Sequence, residues 1–496
     1  MKYISTRGNS EFVTSAEAIK LGMVPAGGLF VPENIPSIDK NFLTASADWD
    51  YNTLSNEILN MFLTDYTREE LQECVALAYN TSNFDRADIA PLVKVEDSYI
   101  LELWHGPTAA FKDMALQILP QFLVKAIKKT GTDKEVVILV ATSGDTGKAA
   151  LEGFKNVPGT KIICFYPHNG VSKIQELQMT TTDGENTYVV AVNGNFDDCQ
   201  TAVKNIFGDK LFAERAFASG YELSSANSIN WGRLVPQIIY YFWTYAELLR
   251  NKDLNVGDKI NLVVPTGNFG NILAAYYAYK MGLPVNRFIC ASNNNNVLTD
   301  FLASGVYDKR RTFHQTLSPS MDIIISSNLE RFLFEITGHN EKLVSNWLNE
   351  LQNNGFYEID SNTKEKITSI MEGGCADEEA TTKTIHDVFK NTGYVLDPHT
   401  AVAYDVYKKY RAKSQDTTLT IITATANPYK FNAAVLNALT TEGGIKDEFE
   451  MVKELNSLTN MPVHNALKEL DIKPVLHNIV VETNQLLDIT EKILKI

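Results

Sequence analysis

From about Ala90 onward, short runs that are apolar at nearly every position alternate with longer stretches whose apolar residues recur at helical spacing. The short runs are Val136 to Ala141, Lys161 to Tyr166, Thr187 to Val192, Ile260 to Pro265, Arg287 to Ala291 and Leu419 to Thr423. Nearly unbroken Val, Ile and Leu, without polar alternation, is the pattern of strands covered on both faces. With helical stretches between them, these runs predict an α/β fold of mostly parallel sheets with flanking crossover helices. In such sheets ligands gather at the carboxyl ends of strands, so the loops that follow them are where chemistry is expected.

The first 85 or so residues lack that rhythm. Thr14-Ser15-Ala16-Glu17 and Thr67-Arg68-Glu69-Glu70 have capping-box spacing. They predict one helix stopped by Gly22 and another running through Leu71, Cys74, Val75 and Leu77. Gly27 to Glu33 reads as a turn and a short strand. The pattern divides the chain into a small N-terminal domain (1–85), an α/β region (86–435) and a helical C-terminal tail (436–496). Within the α/β region, about 310–391 is chiefly helical, through Leu329 to Ile336, Leu343 to Leu351 and Glu378 to Phe389, and reads as an insertion. In the tail, Val463 to Leu470 and Ile489 to Leu494 are the expected helices.

Composition narrows the partners. The 496 residues are 44% hydrophobic and 21% charged, an ordinary globular balance with a core large enough for two or three domains. The formal net charge is −15 and no basic block interrupts it, which argues against nucleic acid and anionic membranes. An anionic small molecule would have to be held against that field by helix N-termini and a few placed cations. Five scattered cysteines without metal-ligand spacing argue against a disulfide framework and a zinc site and fit a reducing cytoplasm. Residues 1–20 do not resemble a signal peptide, and no apolar run reaches the roughly 20 residues that span a bilayer.

The stretch with the most chemical content is His105 to Asp113. A strand is expected to end at Trp104, Gly106 and Pro107 break it, and Leu116, Leu119, Leu123 and Ile127 continue at helical spacing from about Met114. Lys112 therefore lies near a helix N-terminus, where the dipole disfavours a cation. A partly desolvated lysine there has a lowered pKa, and a neutral amine is what a Schiff-base nucleophile requires. On position alone, a solvated lysine at a helix start is the commoner case.

Four further loops stand at strand ends or helix starts. Thr142-Ser143-Gly144-Asp145-Thr146-Gly147-Lys148 superficially suggests a nucleotide P-loop, but that motif wants Gly at 142 and Ser or Thr at 149, where this chain has Thr142 and Ala149. A hydroxyl- and glycine-rich anion site remains, as does a plain structural turn. Thr266-Gly267-Asn268-Phe269-Gly270-Asn271 lets the backbone approach a ligand and leaves N–H groups free for phosphate. Thr425, in the segment Thr423 to Phe431, offers a hydroxyl to a ring nitrogen, unless Asn427-Pro428 simply forms a strand-end turn. Arg233, in Asn227 to Arg233, suits a phosphate or a carboxylate, or else a helix-end salt bridge.

Taken in chain order, a set of segments resembles the threonine synthase family, pyridoxal-phosphate enzymes of fold type II related to tryptophan synthase β. They are Tyr3 with Ser5 to Gly8, Gly27 to Glu33, His105 to Asp113, Thr142 to Gly147, Gly267 to Asn271, Ser318 to Ile323, Asp397 to Thr400 and Thr425 to Phe431. The resemblance implies pyridoxal 5'-phosphate as cofactor and Lys112 as the catalytic Schiff-base lysine. It implies that Gly267, Asn268, Phe269, Gly270 and Asn271 hold the cofactor phosphate and that Thr425 faces the ring nitrogen. A hydroxyl there weakens the ring as an electron sink, so Lys112 must carry more of the proton shuttling. Asp145 stands where many relatives of that fold have Asn beside the ring hydroxyl, and its protonation state is open. The implied substrate is O-phospho-L-homoserine, which with water gives L-threonine and phosphate. Thr142, Ser143, Asn227 and Arg233 are candidates for the substrate phosphate, with Lys148 and Lys430 as further ones. The expected partner is a small molecule, and the expected assembly a monomer or homodimer. Two alternatives remain at this point: a dehydratase of the same fold, which needs no second phosphate cradle, and a silent homologue that binds a phosphorylated ligand, against which the presence of Lys112 argues.

Overall fold

The computed structural model describes residues 1–142, 144–440 and 447–496. Its strands, in chain order, are β1 (Tyr3–Ser5), β2 (Phe30–Pro32), β3 (Leu92–Val95), β4 (Ser98–Glu102), β5 (Glu135–Ala141), β6 (Thr160–Pro167), β7 (Thr187–Asn193) and β8 (Tyr221–Ser224). They continue with β9 (Ile260–Pro265), β10 (Val285–Ser292), β11 (Val306–Asp308), β12 (Phe356–Glu358), β13 (Met371–Cys375), β14 (Thr420–Ala424) and β15 (Ile479–Glu482). Two sheets dominate. One has the order β13-β10-β9-β14-β4-β3, parallel except where β3 meets β4. The other, β15-β7-β6-β5-β8, is parallel throughout. The apolar runs form the central strands of both sheets, and helices cover the faces, giving the mixed α/β architecture with parallel sheets expected from the pattern. The chain leaves the first sheet after β4, builds the second, and returns at β9, so the loop after β4 lies where the two sheets are joined.

Several elements depart from the pattern. The helix expected from Met114 breaks after Asp113–Leu116 and restarts at Leu119–Lys129, because Pro120 fits only the first turn of a new helix. Within 310–391, β12 pairs with β11, and β13 forms the edge of the six-stranded sheet. Met371-Glu372-Gly373-Gly374-Cys375 has no strand signature, because its glycines serve close packing. A Cβ would stand 2.9 Å from Thr299 Cα at Gly373 and 2.6 Å from Val406 Cγ1 at Gly374. In the tail, Val463 to Leu470 yields only a 3₁₀ turn at Asn465–Leu467, while β15 extends the five-stranded sheet beside β7. A strand so far along the chain has no local signal beyond a three-residue apolar run, Ile479 to Val481. Among the described residues no helix is long and apolar enough to cross a membrane.

The N-terminal segment is bound into the α/β region. Tyr3, Phe62 and Tyr277 surround fully buried Trp231 at ring distances of 5.4, 5.7 and 5.4 Å. Buried Arg331 donates to Phe30 O (3.0 Å), to Ile229 O (2.6 Å) and to Asn328 Oδ1 (2.8 Å). That one guanidinium ties β2 to two loops that border the site, each bond satisfying a carbonyl that burial would otherwise strand.

Candidate active site

Lys112 ends the loop that follows β4, and the loop is held from both sides. Phe111 N donates to Thr425 O (2.8 Å) and Asn427 N to Ala109 O (3.0 Å), stitching it to the segment after β14. Internally, Asp113 accepts from Thr108 N (2.8 Å) and Thr108 Oγ1 (2.7 Å). Gly106 is required here, since a Cβ would lie 2.4 Å from that of Asp113. The Lys112 side chain is 12% exposed, and its Nζ lies 3.4 Å from Ser320 Oγ and 3.9 Å from Asp145 Oδ2. Burial, opposed by Asp145 and assisted by Arg233 and Lys430, lowers the Lys112 pKa from 10.5 to about 8. This is the depressed, reactive amine that a nucleophilic lysine needs.

Asp145 opens the helix Asp145–Phe154 after β5 and is buried. Its Oδ1 meets Lys430 Nζ at 2.8 Å and accepts from Gln175 Nε2 (3.0 Å), while Oδ2 accepts from Ser320 Oγ (3.3 Å). Burial by itself would raise this carboxyl, but Lys430, Lys112 and the Gln175 bond outweigh it and hold Asp145 well below the usual carboxylate range. Asp145 is therefore an anion. Lys430 is fully buried and also donates to Thr108 O (2.9 Å).

Arg233, in the short helix Trp231–Leu234, is buried without a carboxylate partner among the described residues; Nη1 donates to Ala226 O (2.7 Å). Burial lowers its pKa to about 10, so it remains a cation at neutral pH. Lys112 and Lys430 thus share buried Asp145 and also feel buried Asp113, while Arg233 adds a third cation that acts on Lys112. A buried cation without a partner is costly, so such a group calls for anions from outside.

The loop after β9 offers a place for one. Gly267, Asn268, Phe269, Gly270 and Asn271 present N–H groups that have no acceptor among the described residues. The helix Gly270–Met281 begins there, adding the positive end of its dipole. Phe269 takes the left-handed conformation (φ 63°) at the turn into that helix. Carbonyls are anchored away, Gly267 O accepting from Ser326 Oγ (2.8 Å) and Asn268 O from Asn328 N (3.1 Å). Asn271 Oδ1 accepts from Tyr240 (2.9 Å) and Tyr241, leaving its buried Nδ2 without a partner.

The remaining sequence candidates divide. Thr425 follows β14, and its hydroxyl has no hydrogen-bond partner among the described residues. Asn227 sits beside the Arg233 loop, its N donating to Ser225 Oγ (3.2 Å). Thr142 Oγ1 accepts from Gly144 N (3.0 Å) and Gly147 N (2.8 Å), which commits that oxygen to shaping its own loop. Lys148 is not brought to the cation group. One turn beyond Asp145, its side chain runs instead to Glu152 (2.6 Å), four residues on along the same helix, and to Thr182 (3.1 Å). Ser143 lies outside the described residues. Sequence reasoning missed Gln175, Ser320 and His399 as parts of the site. The only signal was that Ser320 and His399 lie in motifs matched to the family without an assigned chemistry.

Comparison with known proteins agrees with this geometry. The chain matches the families described as threonine synthase N terminus (residues 2–79), pyridoxal-phosphate dependent enzyme (82–345) and threonine synthase, C-terminal (400–475). It is 36% identical over 491 residues to threonine synthase of Saccharomyces cerevisiae, covering 92% of this chain and 93% of that one. Threonine synthase of Pseudomonas aeruginosa is 38% identical over 440 residues, covering 88% and 90%. The crystal structure of pyridoxal-phosphate-bound threonine synthase from Brucella melitensis superposes with a TM-score of 0.87 at 35% identity, covering 100% and 99%. Likeness at that level over both the sheets and the loops that gather around Lys112 places the chain in the threonine synthase family of pyridoxal-phosphate-dependent enzymes.

Proposed function

We infer that this protein is a threonine synthase, a lyase that converts O-phospho-L-homoserine and water to L-threonine and inorganic phosphate with pyridoxal 5'-phosphate as cofactor. The observation that carries the reading is the excess of buried positive charge, three cations against the two carboxylates Asp145 and Asp113, beside a loop of unpaired amides. Two phosphates, one on the cofactor and one on the substrate, are what such a site is built to neutralise.

The residues fit the cofactor. The amides of Gly267–Asn271 and the unpartnered Asn271 Nδ2 make a donor set for its phosphate, Lys112 has the lowered pKa needed to bond its carbonyl, and Thr425 has a free hydroxyl for its ring nitrogen. Asp145 lies 3.9 Å from Lys112 and belongs beside the same ring. When bound, the cofactor supplies an electron sink conjugated to the substrate's Cα. The chain's own groups do the rest. Arg233 and Asn227 bind the substrate phosphate and orient it as a leaving group on Cγ. With the cofactor bound, Lys112 would take the proton from Cα, pass it to the electron sink and, neutral again, take one from Cβ that it would return to Cγ once the phosphate has left. Water would add at Cβ with its proton leaving on the released phosphate, and Lys112 would return the first proton to Cα, so no net proton remains on the lysine. Asp145, kept ionised by Lys430 and Gln175, stabilises the ammonium form of Lys112 as it carries each proton.

We assign 1–85 as an N-terminal domain, 86–435 as the catalytic region with its insertion over about 310–391, and 436–496 as the tail. The break between the family matches at residues 79 and 82 supports the first boundary. The five cysteines are free thiols, which supports a reducing cytoplasmic location, and we expect a monomer or homodimer. The deciding experiment is incubation of the holoprotein with O-phospho-L-homoserine. Threonine and free phosphate should appear in equal amounts, and failure to release both removes this reading.

A further inference from the structure

We propose that Ser320, clamped by His399, is a positioning residue that holds the Lys112 amine out of direct contact with Asp145, so that Lys112 works as a base instead of resting as an ion pair. The proposal rests on the assignment of Lys112 as the proton-carrying lysine.

The contrast that carries it lies on one carboxylate. Two lysines face Asp145. Lys430 reaches Oδ1 at 2.8 Å, a contact ion pair, whereas Lys112 stops 3.9 Å from Oδ2. The Ser320 hydroxyl stands between them, accepting from Lys112 Nζ at 3.4 Å and donating to Asp145 Oδ2 at 3.3 Å. A contact pair would stabilise the ammonium and withdraw the lone pair, whereas an interposed hydroxyl keeps the amine oriented with only part of the carboxylate's pull.

Ser320 is held there by contacts that come from elsewhere in the chain. Its backbone N donates to His399 Nε2 (3.1 Å). Because that nitrogen accepts, the ring proton is on Nδ1, which donates to Asp397 Oδ1 at 2.8 Å, and Thr400 Oγ1 donates to the other oxygen of Asp397. His399 and Asp397 are each 1% exposed. On the opposite side the Ser320 carbonyl would stand 2.7 Å from a Cβ at Gly267, so the cofactor-phosphate loop closes directly over it. The turn Pro319–Met321 is further braced by Asn293, whose Nδ2 donates to Ser318 Oγ (2.9 Å) and Asp322 Oδ1 (2.8 Å). A serine gripped on so many sides, with its hydroxyl on a reactive lysine, is held for its position.

The test is Ser320→Ala in the cofactor-loaded enzyme, a change too small to threaten folding. The variant should load cofactor normally and bind substrate with KM within about twofold. Its kcat near neutral pH should fall about a hundredfold, because Lys112 settling onto Asp145 moves its pKa from about 8 back toward the ordinary 10.5. A base must be neutral to act, so the rate should recover about tenfold per pH unit as the solution is made alkaline. His399→Gln, which keeps an acceptor, should stay close to wild type, and His399→Leu should follow Ser320→Ala. An unchanged kcat, or a lowered kcat with the wild-type pH profile, overturns the proposal. Exchange of the Cα hydrogen of L-2-aminobutyrate in deuterated water reads the same base without phosphate chemistry. If wild type makes no threonine yet Ser320→Ala slows that exchange, the synthase reading fails and this one stands.

Discussion

Two strand-loop-helix junctions face Lys112 from different sheets, and they treat charge in opposite ways. The junction after β9 carries no ionisable side chain from Gly267 to Asn271, leaves its amides without acceptors among the described residues, and ends in a bare helix N-terminus. The junction after β5 fills its helix N-terminus with its own carboxylate, Asp145, and folds Thr142 Oγ1 back onto the amides of Gly144 and Gly147. The first waits for an anion, and the second already has one. The difference explains how a chain of net charge −15 can bind phosphates. One junction is left open to outside anions, while the other supplies just enough internal charge to make the buried lysines tolerable and keep one of them reactive.

The strongest way to break this comparison is Asp145→Asn. If the carboxylate is the internal counter-ion, its loss leaves Lys430 buried beside a neutral amide, and cofactor-free protein should lose about 3 kcal/mol in denaturant unfolding, the cost of stripping one partner from a buried pair. Unchanged stability would mean that Asp145 neutralises nothing. A smaller effect is expected from Gly267→Ala at the other junction, where the added Cβ meets Ser320 O at 2.7 Å and Met321 Cα at 3.4 Å. Overpacking of about 1–3 kcal/mol falls on the cofactor loop, so cofactor affinity measured by absorbance titration should weaken about tenfold or more, with the cofactor-free fold little changed. Equal loss of fold and affinity would show that this loop is structural.

The two junctions also differ in how far they could be read from sequence. At Gly267–Asn271 the chemistry is in the backbone, so strand, two glycines and helix in order already describe it. At Asp145 the chemistry depends on what comes to meet it. Lys430 arrives from 285 positions along the chain, Ser320 from 175 and Gln175 from 30. No spacing rule connects such groups. For this reason the protonation of Asp145 stayed open in the sequence and is decided in the fold by Lys430. The strands of the two sheet centres were legible from unbroken apolar runs. The edge strands β13 and β15 were not, since at a sheet edge a strand can be specified by its neighbour instead of by its own composition.

The smallest effect sharpens the comparison most, because it concerns a residue that sequence position assigns to the wrong side of a helix. Lys148 follows Asp145 by three residues and was a candidate for the substrate phosphate. Its Nζ instead pairs with Glu152 and Thr182 and borders a cavity of ≈ 280 Å³ also lined by His105, Gln178 and His464. Lys148→Met keeps the aliphatic stem and removes only the charge. If the second junction spends its charge on Asp145 alone, KM for O-phospho-L-homoserine should remain within about threefold of wild type, because a substitution that leaves the reacting groups untouched changes little in transition-state binding. Stability should fall by about 1 kcal/mol for the half-buried pair with Glu152. A tenfold rise in KM would instead place Lys148 on the substrate phosphate, and the junction after β5 would have to be counted as a second open anion site.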